Sequence, residues 1–156
     1  MPVETEISTK YETFSGRRGL VLASSSPYRR ELIGHLSLDI EQRAPNVDES
    51  RLEEEPAETL VRRLAVAKAR ELTRDYSQHL IIGGDQVAAR DGEIVGKPLT
   101  HGAATQQLSL ASGKELTFYT GVCVLDSQTD VVRSQVIPCR VKFRELSAVQ
   151  IQKLLG

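Results

Sequence analysis

The stretch GLVLASSSPYRR, residues 19–30, decides how the rest of the chain is read. Gly19–Ala23 is a short apolar run suited to a buried strand. It passes directly into Ser24-Ser25-Ser26-Pro27. Serine before proline is a helix start: Ser26 accepts from free backbone amides, and Pro27 takes the first helical position, where no N–H is needed. Tyr28, Leu32, Ile33 and Leu36 then recur at helical spacing. A strand that feeds a helix in this way aims free amides and a positive dipole end beyond the strand, a geometry suited to phosphate. Arg29 and Arg30 stand in the first helical turn, where cations oppose the dipole. An anionic ligand would give them a reason to be there; an ordinary cap beside two solvated arginines is the plainer alternative. The segment is neither a Walker loop nor a nucleophile elbow, because the glycines that define those motifs are absent.

Working outward, Asp39–Arg43 reads as a second strand and Ala44–Ser50 as loop. A long helix is expected from about Pro56 to Arg74, with Leu60, Val61, Leu64, Ala65 and Leu72 as its apolar stripe. Lys68 falls on that stripe, an anomaly for a charged residue. Leu80-Ile81-Ile82 reads as a short buried strand ended by Gly83-Gly84-Asp85. Asp91-Gly92 is a hairpin-turn pair between Gln86–Arg90 and Glu93–Val95. Thr100 caps a helix through Ala111, with Gly113 at its end. Two long strands follow, Glu115–Asp126 and Val131–Arg144, and Pro138 is expected to break or bulge the second. Ser147 starts a last helix carrying Val149, Ile151, Leu154 and Leu155. Strands alternating with helices, plus hairpins, predict an α/β domain of mixed α+β character with a mixed sheet, residues 19–156. The polar residues 1–18 read as a loose tail.

Composition narrows the function classes. The 156 residues are 40% hydrophobic and 26% charged, which fits one globular domain rather than a disordered chain. The net charge of -1 argues against a general nucleic-acid binder. Apolar runs of a few residues are far short of the roughly 20 that a spanning helix needs, and no basic-then-apolar leader opens the chain. Cys123 and Cys139 lie in apolar strand-like text and read as buried thiols of a reducing, cytoplasmic compartment.

Five residues carry candidate chemistry beyond the serine turn. Asp85 stands where a buried strand is expected to end, a common ligand position in open α/β sheets; it also reads as a turn aspartate bonding its own backbone. Asp48 and Glu49 form an acidic loop pair after Pro45. Magnesium takes one or two protein carboxylates together with substrate phosphates, so Glu49 with Asp85 would serve if the fold joins them. Lys68 either snorkels from its apolar face or turns into a phosphate cleft. Lys97 is flanked by Gly96 and Pro98, which fix its backbone.

Five blocks, in order, resemble the Maf family of nucleotide pyrophosphatases. They are Ala23–Leu32 (ASSSPYRREL), Ala44–Glu49 (APNVDE), Arg63–Ala69 (RLAVAKA), Ile81–Gln86 (IIGGDQ) and Gly96–Leu99 (GKPL). Ser112-Gly113 and Thr117–Gly121 also fit, so the resemblance runs from about Leu20 to the end. It implies a strongly twisted mixed sheet flanked by helices, similar to inosine-triphosphate pyrophosphatases. It implies hydrolysis of a nucleoside triphosphate to monophosphate and pyrophosphate with a divalent cation, Mg²⁺ or Mn²⁺. By position, Asp85 is the proton acceptor. Ser24, Ser26 and Arg29 belong to the phosphate loop, with Arg30 beside them on the substrate side. Lys68 and Lys97 belong to the phosphate cleft, and Glu49 to the metal or water side.

Tyr28 before Arg29, and Gln86 after Asp85, resemble the YceF-type branch, which prefers 7-methyl-GTP. The dTTP/UTP branch usually has Arg and Thr at those places. A non-catalytic nucleotide-binding regulator of cell division is the alternative from another class. The resemblance further implies a small-molecule nucleotide partner, no nucleic acid, no membrane and a homodimer. It also implies several dozen further residues past Gly156, with a base-selecting glutamate, a Gly-rich loop, a last strand and a final helix.

Overall fold

A computed structural model describes residues 19–36 and 38–156. The expected N-terminal tail lies outside the described residues. Among the described residues six strands form one mixed sheet: β1 (Gly19–Ala23), β2 (Ile40–Arg43), β3 (His79–Arg90), β4 (Glu93–Val95), β5 (Glu115–Asp126) and β6 (Val131–Lys142). Their order is β2-β1-β3-β5-β6, with β4 on the far end of β3. β1 pairs in parallel with β2 and β3, while β3, β5 and β6 pair antiparallel. β3 is the hinge of the design, parallel to one neighbour and antiparallel to the other. The helices are α1 (Pro27–Gly34), α2 (Ala57–Glu71, prolonged by a 3₁₀ turn at Leu72–Arg74), α3 (His101–Ala111) and α4 (Ala148–Leu155).

The core lies between α2 and one sheet face. Leu60, Val61, Leu64, Ala65 and Leu72, the stripe that the sequence predicts, are buried, and Ala69 joins them. Ala65, Ala69 and Leu72 pack in one cluster with Val21, Ala23, Ile81, Cys123 and Leu125 from β1, β3 and β5. Burying each large aliphatic side chain contributes about 1.5–3 kcal/mol, so this one helix anchors both halves of the sheet. The approach is close enough to need glycine at two places. A Cβ on Gly83 would lie 2.0 Å from the Ala65 carbonyl oxygen, and one on Gly121 would lie 2.3 Å from that of Val61.

This packing corrects the expected short strand. β3 does not stop at Gly83-Gly84-Asp85 but runs on through Arg90. Gly83 pairs with Cys123, Gly84 with Val122 and Asp85 with Gly121, so β5 carries the ladder through the glycines. Gly83 thus serves helix-on-sheet packing, not chain termination, and Asp85 is a mid-strand residue.

Pro138 is a second correction. β6 is continuous and Pro138 faces Tyr119 in register. Among the described residues β6 is an edge strand, where a missing N–H costs no ladder bond. Cys139, on this edge strand, is exposed, unlike buried Cys123; both thiols are free. The other local readings stand. Ser26 caps α1, Thr100 caps α3, and Ser147 with Gln150 makes a full capping box on α4. Asp91 and Gly92 both have positive φ, as a two-residue hairpin turn requires. No residue of α1 is fully buried: Tyr28 and Leu32, and Leu36 just past its end, are exposed, and Ile33 is half-buried. Among the described residues no helix is long and apolar enough to cross a membrane.

Candidate active site

Beyond the C-terminal end of β1 lies a polar cleft of about 450 Å³. Its walls come from the serine turn, the loop after β2, the middle of α2, the centre of β3 and the Gly96-Lys97-Pro98 loop. The turn is held by its own polar groups. The Ser24 amide donates to the carbonyls of Leu22 and Arg43, and the Ser26 amide donates to Ser24 Oγ at 3.0 Å. Ser26 Oγ in turn accepts from the Arg29 amide at 3.3 Å. Gln42 Nε2 donates to the Ser26 carbonyl at 2.9 Å, which ties the turn to β2. Arg29 reaches across the cleft floor, and its Nη1 donates to the Gly84 carbonyl at 3.2 Å. That contact gives the arginine in the first helical turn a structural reason to be there.

At the centre, Lys68 bridges two carboxylates. Its Nζ is 2.8 Å from Asp85 Oδ1 and 2.6 Å from Glu49 Oε1. Burial alone would lower the lysine's affinity for its proton, but hydrogen bonds to Asp85 and Glu49 outweigh it and raise the pKa above the ordinary lysine value. The hydrogen bond from Lys68 holds Glu49 below the usual carboxylate range, with further help from the charges of Lys68, Lys97 and Arg29. Lys68 and Glu49 are therefore both charged near neutral pH.

Glu49 sits on a loop that is clamped from behind. Glu55, 6% exposed, accepts from Arg63 Nε at 2.7 Å and Nη2 at 2.9 Å, a bidentate pair. Arg63 Nη2 also donates to the Ser50 carbonyl, Arg51 Nε to the Glu55 carbonyl, and the Leu52 amide to Glu55 Oε1. Asp48 turns back on its own loop and accepts from the Ser50 amide at 2.9 Å, leaving Glu49 to face the cleft. Nothing in the linear text singles out Glu55, although it stands eight residues before Arg63 in the third family-like block.

The fold thus brings together Ser24, Ser26, Tyr28, Arg29, Glu49, Lys68, Asp85, Gln86 and Lys97 in one cleft. Arg30 is not among them. It lines a separate small hollow with Ile33, Leu38 and Asp39, because successive helical residues point about 100° apart. Ser25, Pro45, Asn46 and Val47 line the cleft without having been foreseen. Next to the cleft is an apolar cavity of about 620 Å³ between β3, β5, α3 and α4. Glu49, Gln86 and Lys97 border both spaces. Gln86 Nε2 donates to Thr120 Oγ1 at 3.0 Å on the neighbouring strand.

Three cations, Arg29, Lys68 and Lys97, face two carboxylates, Glu49 and Asp85, across this cleft. One net positive charge suits an anion but falls short of a triphosphate. Among the described residues no group of three or more His, Cys, Asp and Glu could hold a metal. Two carboxylates already gripping an ammonium do fit a hard divalent ion whose remaining ligands are phosphate oxygens and water.

Comparison with known proteins shows the family. The chain is 50% identical over 134 residues to the 7-methyl-GTP pyrophosphatase of Pseudomonas aeruginosa, covering 86% of this chain and 70% of that protein. It is 48% identical over 137 residues to the protein of the same name from Methylobacillus flagellatus, covering 87% and 71%. The Staphylococcus aureus Ham1 protein superposes with a TM-score of 0.57 over 80% of this chain and 71% of that one; at 12% identity it is a likeness of fold alone. Residues 19–156 match the family model described as Maf-like protein. With the family model spanning the whole described domain and half of the aligned residues shared with a relative, the chain belongs to the Maf-like family.

Proposed function

We propose that this chain hydrolyses a nucleoside triphosphate, 7-methyl-GTP foremost, to the monophosphate and pyrophosphate. The observation that carries the reading is the cleft in which Arg29, Lys68 and Lys97 surround Asp85 and Glu49. Water attacks the phosphorus that bears the nucleoside. Asp85 orients that water and takes its proton as the new P–O bond forms. The bond to the bridging oxygen breaks, and pyrophosphate leaves with the electron pair. Arg29 and Lys97 bind the phosphate oxygens beside the serine turn and stabilise the charge that develops on them. Preorganised charges of this kind are usually the largest catalytic contribution. Glu49 and Asp85 would hold a divalent cation, Mg²⁺ or Mn²⁺, which supplies further charge neutralisation of the phosphate chain when bound.

Selection of the base belongs to Tyr28 and Gln86 in this reading. Tyr28 stands at the cleft edge, 66% exposed, ready to stack. A 7-methylguanine ring is cationic, so an aromatic face attracts it by stacking and by cation–π interaction. Gln86 lies between the phosphate cleft and the apolar cavity, where the nucleoside would cross. The names of the relatives from Pseudomonas aeruginosa and Methylobacillus flagellatus support this substrate. We place the enzyme in the cytoplasm, with the nucleotide pool it would clear of modified bases, and propose that it acts as a homodimer.

The test is pyrophosphate release from a panel of 7-methyl-GTP, GTP, dTTP and UTP by the parent and by Asp85→Asn. The expected result is preference for 7-methyl-GTP and a loss of about 10²–10⁴-fold in kcat in the variant, the usual worth of a general base. A variant within a few-fold of the parent would overturn the role of Asp85. Preference for dTTP or UTP would overturn the substrate.

A further inference from the structure

We infer that Lys68 is a built-in counter-cation that competes with the divalent metal for Asp85 and Glu49, and that loading of a metal–nucleotide complex requires it to let go of both. The inference rests on the function proposed above and assigns Lys68 a positioning role within it.

The ammonium already occupies the place between the carboxylates. Its hydrogen bonds of 2.6 and 2.8 Å take up Glu49 Oε1 and Asp85 Oδ1. Those oxygens come from separate elements, the loop after β2 and the middle of β3, and Lys68 from a third, α2. One positive charge thus holds two negative ones together that would otherwise repel. A divalent ion such as Mg²⁺ needs carboxylate oxygens at about 2.0–2.1 Å. The same oxygens cannot serve an ammonium and a dication together without placing the two cations a few ångströms apart.

Lys68 cannot retreat to solvent either. It is 8% exposed and its stem belongs to the buried stripe of α2. The ammonium therefore swings within the cleft, where the phosphate oxygens of an arriving nucleotide become its new partners. Bare metal offers it no such exchange. The free enzyme accordingly binds metal alone weakly, metal and nucleotide bind with positive coupling, and Asp85 stays engaged by Lys68 until substrate arrives.

The test is calorimetric titration of Mn²⁺ alone into the full chain, parent against Lys68→Met, with circular dichroism as the check on folding. A unit charge removed from a partly open site a few ångströms away is worth about tenfold in affinity. The variant should therefore bind Mn²⁺ about tenfold more tightly, and Lys68→Met with Glu49→Gln should lose that gain. Equal or weaker Mn²⁺ binding by a folded Lys68→Met would overturn the inference. If Lys68→Met does not fold, the ¹³Cε–¹Hε signal of Lys68 in the parent decides during titration with Mg²⁺ and a non-hydrolysable triphosphate. A shift that saturates with binding supports release, and an unmoved signal overturns it. Failure of the proposed function reads differently, as absence of hydrolysis across the nucleotide panel whatever the Mn²⁺ affinity.

Discussion

Gly83 and Gly84 are neighbours in one strand, yet alanine should be ruinous at the first and harmless at the second. At Gly83 the new methyl group would sit 2.0 Å from the Ala65 carbonyl oxygen and 3.0 Å from its carbonyl carbon. Side-chain carbons essentially never come closer than 3.0 Å to such atoms, so the shortfall is at least 1.0 Å. The obstacle is helix backbone, which has no rotamer to change, and the Cys123 side chain closes the remaining direction at 3.0 Å. α2 must lift away from β3, opening the core cluster and drawing Lys68 from Asp85. Overpacking costs about 1–3 kcal/mol where side chains can yield, so a backbone clash of this depth should reach about 3 kcal/mol or more. At Gly84 the nearest atom is the Gly121 carbonyl oxygen at 3.6 Å, an ordinary contact. Gly84→Ala should stay within about 1 kcal/mol of the parent, with some gain from a less flexible unfolded chain. Urea denaturation of both variants gives the two values directly. Equal losses would refute the claim that Gly83 is kept for helix approach.

Two further outcomes follow from the cleft and its clamp. Tyr28→Ala should remove a stacking surface worth about 1–3 kcal/mol, shrinking the kcat/KM preference for 7-methyl-GTP over GTP while sparing turnover of GTP; equal losses on both nucleotides would make Tyr28 structural. The Arg63 hydrogen bonds hold Glu55 below the ordinary glutamate value of 4.5, so its contribution to stability is present above that value and is lost as pH falls through the folded pKa. The thermal midpoint should therefore drop on acidification from pH 6 to pH 3, and Glu55→Gln, already weakened at pH 6, should drop less steeply; parallel curves would remove Glu55 from the account.

The text of the chain was most informative where function and local chemistry coincide. Ser26-Pro27 forces the helix start, and the same turn lines the cleft. Lys68 was legible as the odd residue on an apolar stripe, since a charge there needs a partner. Its partners were not, because Asp85 is 17 residues away on another element and only the pairing of β3 with α2 above it brings them together. The same limit explains the misread strand. Two glycines and an aspartate look like a stop in isolation, and it is Val122 and Cys123, some forty residues on, that make them part of a ladder. Pro138 was misjudged for the same reason: whether a proline breaks a strand depends on which side of it lies another strand. Arg30 lies outside the cleft for a local reason, because one step along a helix turns a side chain away from its neighbour's direction.

The mixed pairing of β3 also sets which of its contacts are local in the chain and which are distant. β5 and β6 meet across a turn of four residues, 127–130, and their hairpin is local. β1 must find β3 across some sixty residues, and the contact between Arg29 and Gly84 spans 55. Local contacts form early and distant ones late, since the loop must close before the contact rewards it. Asp85 belongs to the strand that the hairpin captures, whereas the serine turn and Arg29 arrive only with the parallel pairing. A chain that has paired β3 with the hairpin but not with β1 holds Asp85 without the serine turn or Arg29 beside it. A molecule without the parallel pairing of β1 with β3 thus lacks one wall of the cleft, and hydrolysis is expected only once that pairing has formed.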